Sequence, residues 1–313
     1  MKPITVSKKS ILYILIVVVF FVGGSLIPGF LSIRNLMNII RQSSIVAICA
    51  CGMTMVIIIK GIDLSVTGVL SFCAMVNGLL LLQGWPILLA MLAGLLVGTL
   101  MGVFNGFMVE KLGIPAFITT LVVGNVGGGL ALLLNAGKSI GGFPDAYVFM
   151  GNGTILGMPV SNYIMFIFVI ATTILMSRTR LGVYIYAMGG NEKAAILSGI
   201  NTNKILFIAY TNMGFLSAIS ALVVVSRFNS ATPSAGTGYE LDAIGSCFIG
   251  GASAYGGIGT VGGCVIGAIL MGVLNNGMSL LGIDANWQKA VKGLVLLAAV
   301  VFDVMSKKRS IKK

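Results

Sequence analysis

Residues able to make or break bonds are scarce in this chain, and their placement argues against catalysis. Histidine is absent, so neither imidazole acid–base work nor a histidine metal site is available. The eight carboxylates are Asp63, Glu110, Asp145, Glu192, Glu240, Asp242, Asp284 and Asp303, all expected in loops or at the ends of apolar runs. A proton-driven carrier usually keeps an ionisable group deep in the bilayer, where a charge costs about 2.5–3.5 kcal/mol on insertion scales and is retained for function. On this reading no such group exists, which speaks against proton coupling. Cys49, Cys51, Cys73, Cys247 and Cys264 fall inside apolar stretches without metal-ligand spacing and read as small helix- or lipid-facing residues. Ala136-Gly137-Lys138-Ser139 has the tail of a phosphate-binding loop, but the first glycine of that motif would fall at Leu132. No cofactor or metal is expected, and a membrane-embedded enzyme lacks a visible nucleophile, base or metal set.

What remains is recognition and passage. Between Arg178 and Lys204, Asn191 can cap a short helix, Glu192 suits its positive end, Ala194 to Leu197 form the body and Gly199 can end it. Gly189 and Gly190 would let the chain turn into it. An exposed, self-capped helix with Ala194, Ala195 and Leu197 on its surface is a docking element, and a helix lying on lipid is the alternative. A separate set of polar groups, Asn77, Thr120, Asn125, Asn212 and Asn275, sits in otherwise apolar spans and could line a weakly polar path. Most of these five should be individually tolerant, because a conduit that releases its cargo cannot bind it tightly.

The elements that must position these groups follow from composition. The 313 residues are 57% hydrophobic and only 9% charged, with a mean hydropathy of +1.05, whereas soluble domains carry about 25% charged residues. The chain therefore reads as one all-α polytopic membrane domain covering residues 1–313. Ten spans are expected, near 11–27, 36–59, 66–83, 86–109, 115–134, 161–177, 205–226, 242–257, 261–281 and 290–305. The eighth is short and glycine-rich, so it is expected to be broken or re-entrant. With both termini cytoplasmic, 14 of the 20 basic residues lie inside and only Arg34, Arg41, Lys138, Arg227, Lys289 and Lys292 lie outside or near the outer edge. The net charge of +12 is thus a topology signal and implies no nucleic-acid partner.

Glycines spaced by four, at Gly94, Gly98 and Gly102 and at Gly263 and Gly267, would let helix backbones approach closely. A faint repeat accompanies them. Gly102-Val103-Phe104-Asn105-Gly106 is answered 170 residues later from Gly272, Gly113-Ile114 is answered 169 later by Gly282-Ile283, and Asp63 is answered 179 later by Asp242. Segments five spans apart run in opposite directions, so the halves 36–134 and 205–305 would form an inverted repeat around the loop 178–204.

Several stretches, taken in order, resemble the ribose-type, simple-sugar permeases of ATP-binding-cassette importers. They are Gly61-Ile62-Asp63-Leu64-Ser65-Val66, Pro115 to Leu121, Gly189 to Glu192, Leu197 to Ile200, Gly238-Tyr239-Glu240-Leu241-Asp242, the paired glycines at 250–251 and 256–257, Asn275-Asn276-Gly277 and Trp287-Gln288. Thr67 stands where the pattern usually has glycine, and Ala252 to Tyr255 also depart from it. The resemblance implies a multi-pass bacterial inner-membrane protein that moves a simple sugar, ribose or xylose first. It further implies an ATPase partner on a separate chain, an extracytoplasmic sugar-binding protein and a second permease copy or paralogue. Within it, Asp63, Ser65, Glu240 and Asp242 are motif residues, and the loop around Gly190, Asn191 and Glu192 would meet the ATPase. A secondary carrier with inverted repeats, working alone, is the competing reading.

Overall fold

A computed structural model describes residues 22, 24 and 27–311. The expected first span, 11–27, lies almost entirely outside the described residues, as do Lys2, Lys8, Lys9, Lys312 and Lys313. The described chain is mostly helical, with turns and loops between the helices and four two-residue strands. Its helices are α1 (Ile33–Ile58), α2 (Val66–Leu82), α3 (Ile87–Lys111), α4 (Ala116–Leu134), α5 (Asp145–Asn152) and α6 (Val160–Arg178). They continue with α7 (Arg180–Gly190), α8 (Glu192–Leu197), α9 (Thr202–Phe228), α10 (Tyr239–Ile249), α11 (Val261–Leu280) and α12 (Ala285–Ile311). Strand β1 (Ile140–Gly141) pairs antiparallel with β4 (Ser230–Ala231), and β2 (Thr154–Ile155) with β3 (Met158–Pro159). Among the described residues, α1, α3, α4, α6, α9 and α11 are long and apolar enough to cross a membrane.

At the centre stand the 43–58 stretch of α1 and most of α9, apolar on nearly every side and buried by their neighbours. Every residue from Ser43 to Ile58 is buried, and the Cys49 thiol donates to Ser220 Oγ at 3.1 Å where the two helices meet. All five cysteines are buried. Glycines decide how closely the outer helices approach. A Cβ on Gly98 would lie 3.1 Å from Gly214 O, one on Gly102 2.9 Å from Gly214 Cα, and one on Gly214 2.4 Å from Gly98 O. The backbones of α3 and α9 are in direct contact there, which gives the dispersion attraction that holds helices together without a hydrophobic driving force. Gly267 plays the same part between α11 and α10, where a Cβ would sit 2.0 Å from Ser246 O.

The eighth expected span resolves into α10 and an irregular connection to α11. Eleven residues rise only about 16 Å at 1.5 Å each, half of a hydrocarbon core about 30 Å thick. The half-helix ends where Gly251 turns left-handed (φ 88°), and Gly250 before it must lack a Cβ, which would lie 2.4 Å from the backbone of Gly263.

Four helix boundaries recur 169 or 170 residues apart. The first residues of α1 and α9, Ile33 and Thr202, are 169 apart, and their last, Ile58 and Phe228, 170 apart. The first residues of α4 and α12 are also 169 apart, as are the last of α3 and α11. Left-handed residues close both members of two pairs, Lys60 (φ 67°) with Asn229 (φ 47°) and Gly113 (φ 65°) with Gly282 (φ 68°). After the second pair the next amide reaches back in both places, Ile114 N–H to Met108 O at 3.3 Å and Ile283 N–H to Met278 O at 3.0 Å. Asp63 and Asp242, 179 apart, fall outside this register.

Candidate functional site

The loop 178–204 folds as two short helices at one end of the bundle. Thr179 opens α7, its hydroxyl accepting from Gly182 N–H at 3.4 Å and donating to Leu175 O at 2.6 Å. Asn191 is extended (φ −152°) and its Oδ1 accepts from Ala194 N–H at 3.1 Å, capping α8. Gly199 ends the unit in the left-handed region (φ 78°), and Asn201 Oδ1 caps α9 through Lys204 N–H at 3.0 Å. Glu192 and Ala194 are exposed, Leu197 is 89% exposed and Ile196 54% exposed. Ala195 corrects the sequence reading: at 3% exposure it faces the bundle. The apolar surface that α8 offers is therefore Ala194, Ile196 and Leu197.

Gly189 and Gly190 also differ from their expected role. Both are helical residues at the end of α7 and not a turn. A Cβ on Gly189 would lie 1.9 Å from Ile58 O and 2.7 Å from Gly257 N, so this glycine is required by close backbone approach, while around Gly190 there is open space.

The five proposed path residues do not come together within one chain. Asn77 is buried and its Oδ1 accepts from the Tyr147 hydroxyl at 2.6 Å, fastening α2 to α5. Thr120 is buried and its hydroxyl donates to Ala116 O at 2.8 Å within α4. Asn275 is buried and donates to Asp242 Oδ2 at 3.1 Å. Asn212 donates to Met55 Sδ at 3.1 Å and borders a cleft of about 270 Å³ with Thr99, Thr211 and Phe215. Asn125 alone is exposed, midway along α4.

The four motif residues sit in two buried polar groups. In the connection between α1 and α2, Asp63 Oδ1 accepts from Ser65 N–H at 2.8 Å and from Ser65 Oγ–H at 2.6 Å. Ser65 Oγ in turn accepts from Asn105 Nδ2 at 2.8 Å. Burial pushes the Asp63 carboxyl up to about 6, against the pull of its two Ser65 hydrogen bonds. The second group centres on Asp242 in the first turn of α10. Its Oδ2 accepts from Lys292 Nζ at 3.0 Å and from Asn275, with Asp242 4% exposed and the Lys292 side chain 13%. Glu240, one turn-edge away, accepts a hydrogen bond from the Thr67 hydroxyl on α2. The threonine that departs from the usual glycine thus adds a tie between α2 and α10.

These groups show a burial and a pairing that position along the chain did not reveal. Lys292 is half of a largely buried ion pair, and Asp63, in the connection before α2, and Asp242, in the first turn of α10, lie in a loop and at a helix end as expected and are also buried. Composition could not pair Asp242 with Lys292 across 50 residues. The role of Asn105 was closer to hand, since it lies in the glycine-asparagine stretch that repeats at Asn275.

The family described as branched-chain amino acid transport system / permease component matches residues 35–300. The chain is 42% identical over 295 residues to the ribose import permease of Haemophilus influenzae, covering 93% of this chain and 91% of that one. It is 41% identical over 301 residues to the ribose import permease of Escherichia coli K12, covering 95% and 93%, and 34% identical over 298 residues to the D-allose transport system permease of that strain, covering 95% and 91%. Among solved structures, an inward-facing metal-chelate type ABC transporter matches with a TM-score of 0.54 at 15% identity, covering 95% of this chain and 99% of that one. That likeness concerns the fold.

Proposed function

The chain belongs to the branched-chain amino acid transport system / permease component family, and from that premise we propose that it is the membrane-spanning subunit of an ATP-driven importer for ribose. The observation that carries the proposal is the 41–42% identity to ribose import permeases across more than nine-tenths of both chains. It is a multi-pass protein of the bacterial inner membrane. Hydrolysis belongs to a separate ATPase chain, and the sugar arrives on an extracytoplasmic binding protein.

In this reading α8 is the surface that meets the ATPase, through Ile196 and Leu197. Its N-cap stiffens it, and burying the exposed Leu197 side chain fully in a groove of the partner would contribute roughly 1.5–3 kcal/mol. The 169–170 separation shared by four helix boundaries, and the contact of Cys49 with Ser220 171 residues on, support an inverted repeat whose axis passes between α1 and α9. Ten spans with both ends cytoplasmic fit that plan, with α2 and the half-helix α10 as mates. An exposed asparagine halfway along α4 supports a second permease copy facing that helix, with Asn125 bordering a path between the copies.

The test is uptake of labelled ribose by a strain lacking the gene, complemented with this permease, its ATPase and its binding protein. Ribose uptake that disappears without the ATPase is expected, with xylose and D-allose as competitors. Uptake that persists without any ATPase would favour a carrier working alone, and a preference for D-allose would reassign the sugar. In parallel, Leu197→Glu should insert normally but lose co-purification with the ATPase.

A further inference from the structure

The paired glycines Gly256 and Gly257 take no part in docking or in the buried polar groups, yet the connection between α10 and α11 bends on them at φ 73° and 71°. This turn lies against two other backbones at once. Gly257 N–H donates to Ile58 O at 2.8 Å. A Cβ on Gly257 would lie 2.8 Å from Gly190 Cα, and one on Gly256 would lie 2.4 Å from Lys60 Cγ, 2.8 Å from Ile58 O and 2.9 Å from Gly189 O. From the other side, Gly189 fits only because it too lacks a Cβ. Three segments, the end of α1, the end of α7 and the 256–257 turn, therefore meet backbone to backbone.

Two fastenings tie this junction to its surroundings. The Tyr186 hydroxyl on α7 donates to Gly259 O at 2.8 Å. Further along, Ser253 Oγ–H and Ala254 N–H donate to Asp303 Oδ2 on α12 at 3.0 and 3.1 Å, and Ser253 N–H to Ile258 O at 3.0 Å closes the connection on itself. Thr260 then caps α11 by accepting from Gly263 N–H at 3.1 Å. On one side of the junction stands α8. On the other stand α1, α10, α11 and α12.

We propose that the Gly256–Gly257 turn is the element that transmits movement of the ATPase-facing helix to the transport helices, with Gly257 and Tyr186 as its positioning residues. The proposal rests on the reading of α8 as the docking surface. A side chain between two segments can change rotamer and absorb a displacement, whereas backbone in contact with backbone cannot. A shift of α7 and α8 must carry Ile58 and the turn along, and through Asp303 it must also reach α12. Coupling requires such an element, whose position both partners bias.

The test uses the complete transporter, permease with ATPase and ribose-binding protein, in liposomes. Four quantities are read: co-purification of the ATPase, basal hydrolysis, stimulation of hydrolysis by ribose-loaded binding protein, and ribose uptake. Gly257→Ala should keep co-purification and basal hydrolysis near wild type while stimulation and uptake fall by about tenfold. Tyr186→Phe, which removes only the hydrogen bond to Gly259, should lower stimulation and uptake by about threefold. Gly262→Ala, in the first turn of α11 and facing open space, is the neighbouring control and should behave as wild type. A merely structural role would lower assembly and all activities together, and that pattern overturns the proposal. So does wild-type stimulation and uptake in Gly257→Ala. If Gly257→Ala does not assemble, Tyr186→Phe decides alone, and unchanged coupling in it overturns the proposal. The docking reading fails by a different result, continued co-purification of Leu197→Glu.

Discussion

Removing the ammonium of Lys292 asks whether the buried pair on α10 and α12 holds the half-helix in place. In Lys292→Met the methylenes remain but Asp242, 4% exposed, loses its partner at 3.0 Å and keeps only the Asn275 amide. Breaking a buried pair from one side leaves an uncompensated charge, at a cost of about 3–5 kcal/mol, although replacing both partners is often close to neutral. Asp242→Asn with Lys292→Met should therefore recover most of the loss, because an asparagine carbonyl still accepts from Asn275 and no charge remains. The assay is thermal unfolding of the purified permease in mild detergent, with a drop on the order of 5–10 °C expected for the single variant and a small one for the double. A single variant that melts with the wild type would show that the pair contributes little. A double variant no better than the single would show that the damage is lost packing and not stranded charge.

Three further outcomes follow from the geometry. Gly189→Ala should abolish accumulation of folded permease, since its Cβ would lie 1.9 Å from Ile58 O, while Gly190→Ala, facing open space, should accumulate and transport normally; membrane immunoblots and ribose uptake read both. Asn191→Ala should cost α8 about 1 kcal/mol through loss of its cap, seen as roughly fivefold weaker binding of the ATPase subunit in a titration. In a background without the five cysteines, single cysteines at Asn152 and Asn203 should label from opposite sides of the membrane, and labelling of both from one side would refute the proposed topology.

Much of this architecture was legible in the residues before any fold was seen, because the membrane imposes a strong one-dimensional rule. Backbone groups must be satisfied internally across the hydrocarbon, so long apolar runs become helices, and those beginning near residues 36, 66, 86, 115, 161, 205 and 261 lie within a few residues of α1, α2, α3, α4, α6, α9 and α11. The cap at Asn191 was equally readable, since an N-cap needs only its own side chain and an amide three residues on. Close glycine spacing announced that helices would touch. It did not say which helices, and only the fold set Gly98 and Gly102 against Gly214. The same limit hid the Asp242–Lys292 pair, which joins residues 50 apart, and the burial of Ala195, which depends on what lies beneath α8 and not on its neighbours in sequence. Polar residues in apolar runs looked alike as letters, whether held by a tyrosine on another helix, as Asn77 is, or left exposed, as Asn125 is. Local chemistry and hydropathy are properties of the chain and travel with the sequence. Which backbone meets which, and which charge is left to find a partner, is decided when distant segments are brought within a few ångströms of each other.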